Sequence, residues 1–307
     1  MALLIFVMAW TSSSAQGCSD AGVCTAGPIG AVGLSTDSTS TGTGPEQFAR
    51  LTLSYALGER GVVILQTVPQ LDLELSKRLS VQAKIPWISA AGELGNNNGV
   101  GDPVISLGYR ICASNDQRWD AMIGTRLAVN DANAMENGKT LPMPYQTSLG
   151  TNDLLAGITY RRGRWLAALA YQHVLTQGNQ NTFSPDEWMD DMRALGYFRS
   201  PSSRADDAVL RLQYKVPIQK LLIQPGVLGI YHMQNDLGDK SDPEGSYEIM
   251  GSQGLTLNLT VDALYKLNDR WAMLLAYGSP VITRDVRPDG LTRSVVLNFA
   301  LRYRFGS

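Results

Sequence analysis

Few residues of this 307-residue chain are of types that could do chemistry unaided: two histidines, three cysteines and one acidic cluster. An outer-membrane phospholipase needs a His-x-Ser arrangement, in which the imidazole takes a hydroxyl proton. His173 is followed by Val174 and Leu175, and His232 by Met233 and Gln234, so neither has that partner and both read as rim residues near strand ends. The acidic stretch "NDLGDKSDPEGSYE" supplies Asp236, Asp239, Asp242 and Glu244, but their spacing misses the one, three, five pattern of a calcium loop. It is a solvated loop or a weak surface cation site. Cys18 and Cys24 sit six residues apart, so an oxidising compartment would allow a small disulfide loop. Free thiols, and lipidation of Cys18, are the other readings. "AQGC" argues against lipidation, having no Leu three residues before the Cys and Gln where a small residue is preferred. Cys112 is left over, and Cys without a His cluster makes no metal site. These residues compose no catalytic set, no metal set and no cofactor set, so the expectation is a protein that is not an enzyme.

The elements that carry such residues must therefore supply the function. A balance of 26 basic against 28 acidic residues gives no nucleic-acid footprint. Beyond the N-terminus no run approaches the roughly 18 consecutive apolar residues of a spanning helix, which leaves membrane barrels open because alternation hides from averaged hydropathy. "LLIFVMAW" followed by Ser13-Ser14-Ala15 reads as an export signal over residues 1–15, without the usual basic residue in front; a buried strand is the alternative. Residues 16–47 are rich in Gly, Ser and Thr, a linker or a loosely held plug.

From residue 48 to 307 period-two alternation dominates. Leu255, Leu257, Leu259, Val261, Ala263 and Tyr265 oppose Thr256, Asn258, Thr260 and Asp262; Val295, Leu297, Phe299, Leu301 and Tyr303 form a similar row. Twelve strands are predicted, at 48–57, 69–76, 79–87, 102–112, 117–130, 150–161, 164–176, 206–217, 220–233, 252–267, 270–281 and 292–305. Their connections alternate between short turns ("SKR", "ASNDQ", "RG", "PIQ", "ND") and links of roughly ten to thirty residues. That is the pattern of an all-β, transmembrane, antiparallel up-and-down barrel in a bacterial outer membrane, with short periplasmic turns and long extracellular loops.

Two recurrences fit this reading. Arg-Trp begins three strands, at Trp119, Trp165 and Trp271, and Tyr followed by a basic residue closes five, at Tyr109, Tyr160, Tyr214, Tyr265 and Tyr303. All eight fall at short turns, so they are predicted to form an aromatic girdle at one lipid–water boundary, where a ring is half buried and its polar atom stays wet. If the apolar faces meet lipid, Arg50, Asp72, Glu74, Lys84, Arg126, Arg211, Gln213, Asn258, Asp262 and Arg302 line the lumen, since a charge on the lipid face would cost about 2–4 kcal/mol. Within the longest link, "SPDEWMDDMRALGYF" has Ser184 as a cap, Pro185 at the first helical position and Glu187 completing a capping box. An amphipathic helix is predicted with Trp188, Met192 and Leu195 on one face, a lid over the mouth or a cover for strand ends.

"KRLSVQAKIPW", "GVGDPVISLGYR", "LGTNDLLAGITY" and the C-terminal "LNFALRYRF" together resemble the outer-membrane channel family named for the meta pathway of phenol degradation, broadly akin to the long-chain fatty-acid channel. The resemblance implies passive passage of small, often hydrophobic molecules, with membrane lipid, a small solute and the barrel-assembly machinery as partners. Two departures stand out. The terminal aromatic used as an assembly signal is displaced by Gly306-Ser307, and the Gly-x-Gly-Asp at Gly99 to Asp102 is a turn, with no βαβ context for a phosphate loop. The rival function is a closed barrel that acts through its surface loops.

Overall fold

The computed structural model describes residues 47–114, 116–188, 191–201, 203–238, 246–290 and 293–305. The signal, the 16–46 segment, Cys18, Cys24, Asp239, Asp242 and Glu244 lie outside the described residues. The strands, in chain order, are β1 (Gln47–Gly58), β2 (Val63–Glu74), β3 (Leu79–Lys84), β4 (Trp87–Gly92), β5 (Gly95–Val100), β6 (Val104–Ala113), β7 (Gln117–Arg126), β8 (Met135–Glu136), β9 (Lys139–Thr140), β10 (Thr151–Arg162), β11 (Trp165–Gln177), β12 (Asp207–Tyr214), β13 (Val216–Ile218), β14 (Leu221–His232), β15 (Gly254–Lys266), β16 (Trp271–Ile282) and β17 (Arg293–Phe305). All pairings are antiparallel, and β1 bonds both β2 and β17, which closes the sheet into a barrel of twelve staves. Among the described residues β8 and β9 form only a small hairpin inside a loop.

Two staves are interrupted. The upper part of β2 pairs with β4 and its lower part with β3, so β3 and β4 are one stave broken at Ile85-Pro86; β5 and β6 are another, broken across Gly101 to Pro103. Proline has no ladder donor, and Pro69, Pro86 and Pro103 meet at this level: Ile85 N–H donates to the Pro69 carbonyl and Gly101 N–H to that of Pro86. Here the structure corrects the sequence reading. The 58–68 and 88–101 links are mostly strand, joined by the short turns 59–62 and 93–94. In β2, Val63, Ile64, Leu65 and Val68 put apolar groups on both faces, and from Ser89 to Gly99 β4 and β5 carry only small or polar ones within the strands, so none of the three shows period two.

The barrel is inside out relative to a soluble protein. Leu53 and Leu169 are 51% and 55% exposed on the outer face, while Arg126 and Gln224 on the inner face are 2% and 0% exposed. At one end the staves are joined by turns of two to four residues. Gly163, at φ 53°, sits in one of the two tightest, where a left-handed backbone is required. At the other end lie the described residues of the segments 127–150, 178–206, 233–253 and 283–292.

Candidate functional site: the barrel interior

Because alternate residues of a strand face opposite ways, parity decides which side chains enter the barrel. Arg50, Lys84, Arg126, Arg211, Gln213, Asn258, Asp262 and Arg302 are all buried on the inner face, and Asp72 and Glu74 share its parity while remaining partly exposed. The structure sorts them into levels. At the turn end three guanidinium groups converge on Asp120: Arg161 at 2.5 Å, Arg118 at 2.8 Å and Arg110 at 4.0 Å, with Arg110 also 3.7 Å from Glu74. Near the loop end Arg126 bonds Asp153 and lies 3.9 Å from Asp102, while closer to the turns Asp72 accepts from Gln82 at 2.6 Å and stands 3.9 Å from Arg50. Across the barrel Gln213 donates to Asp262 at 2.5 Å, and Arg302 lies 4.5 Å over the Phe48 ring. Asn258 makes a long 3.5 Å contact with the Leu228 carbonyl.

Asp120, Arg161, Asp153 and Asp207 were missed from sequence. Their strands start in mixed patterns such as "RWDAMIG" and "TNDLL", where Met122 and Leu155 share the inner parity and blur the polar face. That parity continues across β6 to β14 as an apolar strip that includes Val104, Met122, Leu155, Leu166, Val209 and Leu228. The inner wall therefore has an apolar sector and a charged sector. It also carries buried polar atoms without a hydrogen-bond partner among the described residues: Ser54 Oγ, Thr159 Oγ1, Thr260 Oγ1 and both amide atoms of Gln224. Such groups call for water or a solute as partner.

The mouth at the loop end is covered. The 127–150 segment folds inward and buries Leu141, Met143 and Tyr145, and the 178–206 segment lays Phe183, Trp188, Ala194 and Tyr197 against them and against Ala56, Val62, Ile64 and Ile88. Trp188 Nε1–H donates to the Thr140 carbonyl at 3.0 Å, and the Tyr145 and Tyr197 hydroxyls meet at 3.1 Å. Gly290, at φ 68°, approaches Met143 so closely that a Cβ there would lie 2.6 Å from its atoms. This corrects the predicted helix. In place of one amphipathic helix there are two 3-10 turns, Pro185–Trp188 and Met192–Gly196, and the three apolar residues do not share a face: Trp188 is buried, whereas Met192 and Leu195 are 76% and 56% exposed. Ser184 Oγ accepts from Asp186 N–H, so the capping-box geometry with Glu187 does not form. Beneath the cover a cavity of about 70 Å³ lies between Met143, Pro144 and Ser148 on one side and Lys84, Arg126, Val68 and Val104 on the other.

Buried charge ties the cover to the wall. Arg204 pairs with Asp207 and lies 3.8 Å from Asp153 and 3.9 Å from Asp289, and Arg284 bonds Asp289 at 2.8 Å. His232 is fully buried with Asp207 on Nδ1 at 2.7 Å and Asp236 on Nε2 at 2.9 Å. His232 is thus an interior junction and not a plain rim residue, and Asp236 is not solvated. His173, by contrast, sits half exposed on the outer face against Asp206 at 2.8 Å. In the 59–62 turn, burial pushes the Glu59 carboxyl up to about 7, opposed by the attraction of Arg287.

At the turn end the aromatic residues come together in cross-strand pairs. Trp119 and Tyr160 lie 4.4 Å apart between ring centroids, Trp271 and Tyr303 4.7 Å, and Trp165 and Tyr214 4.8 Å. Each Trp faces its Tyr directly in the register. Tyr109 and Tyr265 are also exposed on the outer face, and Cys112 is an exposed free thiol.

No protein-family description matches the sequence, and no curated protein is significantly similar to it. Solved structures do match. The crystal structure of an outer-membrane channel from Pseudomonas putida F1 is 15% identical, with a TM-score of 0.54, over 85% of this chain and 96% of that one. The NanC porin is 9% identical with a TM-score of 0.47, over 84% of this chain and 100% of that one. At these identities the likeness to the first is one of fold, the closed barrel of outer-membrane channels. A closed barrel of this fold, apolar outside and polar within, is a protein of the bacterial outer membrane.

Proposed function

We propose that the chain is a passive outer-membrane channel or facilitator for small solutes, with its termini and short turns in the periplasm and its long loops outside. The carrying observation is the orphaned polar surface of the inner wall, where Ser54, Thr159, Thr260 and Gln224 need mobile partners that a dry, side-chain-filled core would not supply. Arg50, Lys84, Arg126, Arg211 and Arg302 outnumber Asp72, Glu74 and Asp262 among the proposed lumen residues, and Arg110, Arg118 and Arg161 stand against Asp102, Asp120, Asp153 and Asp207, which leaves a slight lean toward anions, eight basic to seven acidic groups. The apolar strip beside this field suits solutes with an apolar or aromatic body, in keeping with the resemblance to the meta-pathway channels. The Trp and Tyr pairs at the turn end serve as the periplasmic girdle.

The buried core over the mouth favours a second reading, a closed barrel that works through its surface loops. Reversing the charge at Arg211→Glu separates the two. A channel shifts its reversal potential toward cations with the barrel still folded; an unchanged potential at normal conductance removes Arg211 from the permeation path, and no conductance in either protein supports the closed barrel.

A further inference from the structure

Beside the covered mouth lies a groove of about 440 Å³ that the channel reading does not use. Its position follows from the broken stave. β5 pairs with β4 alone, so its second edge faces the 129–134 segment across a gap floored by Gln146 and Thr147. Amides dominate its polar lining, with Asn97 and Asn98 from β5 and Asn130 and Asn133 beside Asp131 from the facing segment, and Gly99, Val100, Val129 and Ala134 add an apolar side.

The groove is preformed. Asn97 donates to the Tyr145 carbonyl at 3.0 Å, and Asn130 donates to Thr147 Oγ1 at 3.0 Å while accepting from Ala132 N–H at 2.9 Å. Gln146 makes three bonds to the Ala134 and Leu141 backbone, and Gln180 N–H holds the Asp131 carbonyl at 2.8 Å. Those bonds leave donors and acceptors for a ligand. The Asn98 amide is exposed, the Asn133 carbonyl is taken by Thr182 N–H but its NH₂ is not, and the Asp131 carboxylate uses one oxygen to hold Asn133 N–H.

We infer that this groove binds a neutral saccharide at the outer face of the barrel. Its volume falls in the range of roughly 300–1,000 Å³ usual for small-molecule sites. Rigid amides beside a carboxylate, offering donors and acceptors together, match a row of sugar hydroxyls, each of which donates and accepts. The alternatives fit less well. An anion would meet the Asp131 carboxylate with no Lys or Arg in the lining, and an acyl chain would desolvate amides without replacing their hydrogen bonds. The sugar could come from a glycolipid headgroup of the surrounding leaflet or from a free oligosaccharide.

The test is isothermal titration of the full-length protein in detergent micelles with two probes, maltotriose and a neutral core oligosaccharide, the outer hexose part of a lipopolysaccharide core freed of its phosphates and acidic sugars. Binding of at least one is expected, weakened tenfold or more by Asn98→Leu and measurably by Asp131→Asn. Asn96→Leu, on the same strand but outside the groove, leaves it unchanged. Binding of the core oligosaccharide alone assigns the site to glycolipid; binding of maltotriose alone assigns it to a soluble glycan. Heat-dependent gel mobility verifies that each variant is a folded barrel. No binding of either probe, or equal weakening by Asn96→Leu and Asn98→Leu, overturns the proposal.

Discussion

The two ends of the barrel are held by different physics. At the turn end, links of two to four residues fix the register, and Trp119–Tyr160, Trp165–Tyr214 and Trp271–Tyr303 stack across neighbouring strands. Each contact lies on the outer surface and joins two adjacent strands. At the loop end, the cover is fastened by partners from different loops and strands: Trp188 to Thr140, Tyr197 to Tyr145, Arg204 to Asp153 and Asp289. Those contacts are buried, and several carry charge. The outer rim of the turn end is therefore a set of nearly independent small contributions, whereas the loop end, like the Asp120 cluster inside the turn end, is a network in which one lost member strands the others.

The largest effect should come from breaking that network. Arg204→Ala leaves Asp207 buried beside Asp153 and Asp289, and removal of one partner of a buried pair costs about 3–5 kcal/mol. Urea unfolding in lipid should show that loss, with early proteolysis within 178–206. A loss near zero would mean that the cluster is solvated and the two ends are alike.

Glu59 gives a smaller, pH-dependent contrast. Its carboxyl titrates near 7 in the fold against about 4.5 when free, so its stabilising protonated state is fully present below about pH 4.5 and lost as pH rises through 7. Glu59→Gln should match the parent at pH 4 and exceed it in stability at pH 8, by an amount of up to about 3 kcal/mol. Equal stability at both pH values would place Glu59 in water. The turn end should show the smallest effect. A double-mutant cycle on Trp165 and Tyr214, each changed to Ala, should give a coupling of about 0.5–1.5 kcal/mol, additive with the Trp271–Tyr303 pair. Strong coupling between those two pairs would erase the distinction between the ends.

The same distinction explains what was legible in the sequence. Strands such as β15 and β17 run between an outer apolar face and a polar lumen, so Leu255 to Tyr265 and Val295 to Tyr303 alternate cleanly, and Arg211, Asn258 and Arg302 have inward parity. Arg-Trp and Tyr-basic pairs mark the turns because they flank them directly in the sequence. β4 and β5 were hidden because "SAAGELGNNNGV" has no apolar face to alternate with. The cover was misread because its geometry is set by long-range partners: "SPDEWMDDMRALG" has the pattern of a capped helix, but Trp188 turns away from Met192 to reach Thr140. His232 looked like any rim residue, since Asp207 lies 25 positions away in the chain.

The central claim is that the polar inner wall conducts despite the covered mouth, and a planar-bilayer recording of the purified full-length protein tests it most directly. Discrete current steps with a reversal potential displaced toward the anion side under a salt gradient are the expected result. A protein that inserts, resists heat as a folded barrel and passes no ion current would contradict it.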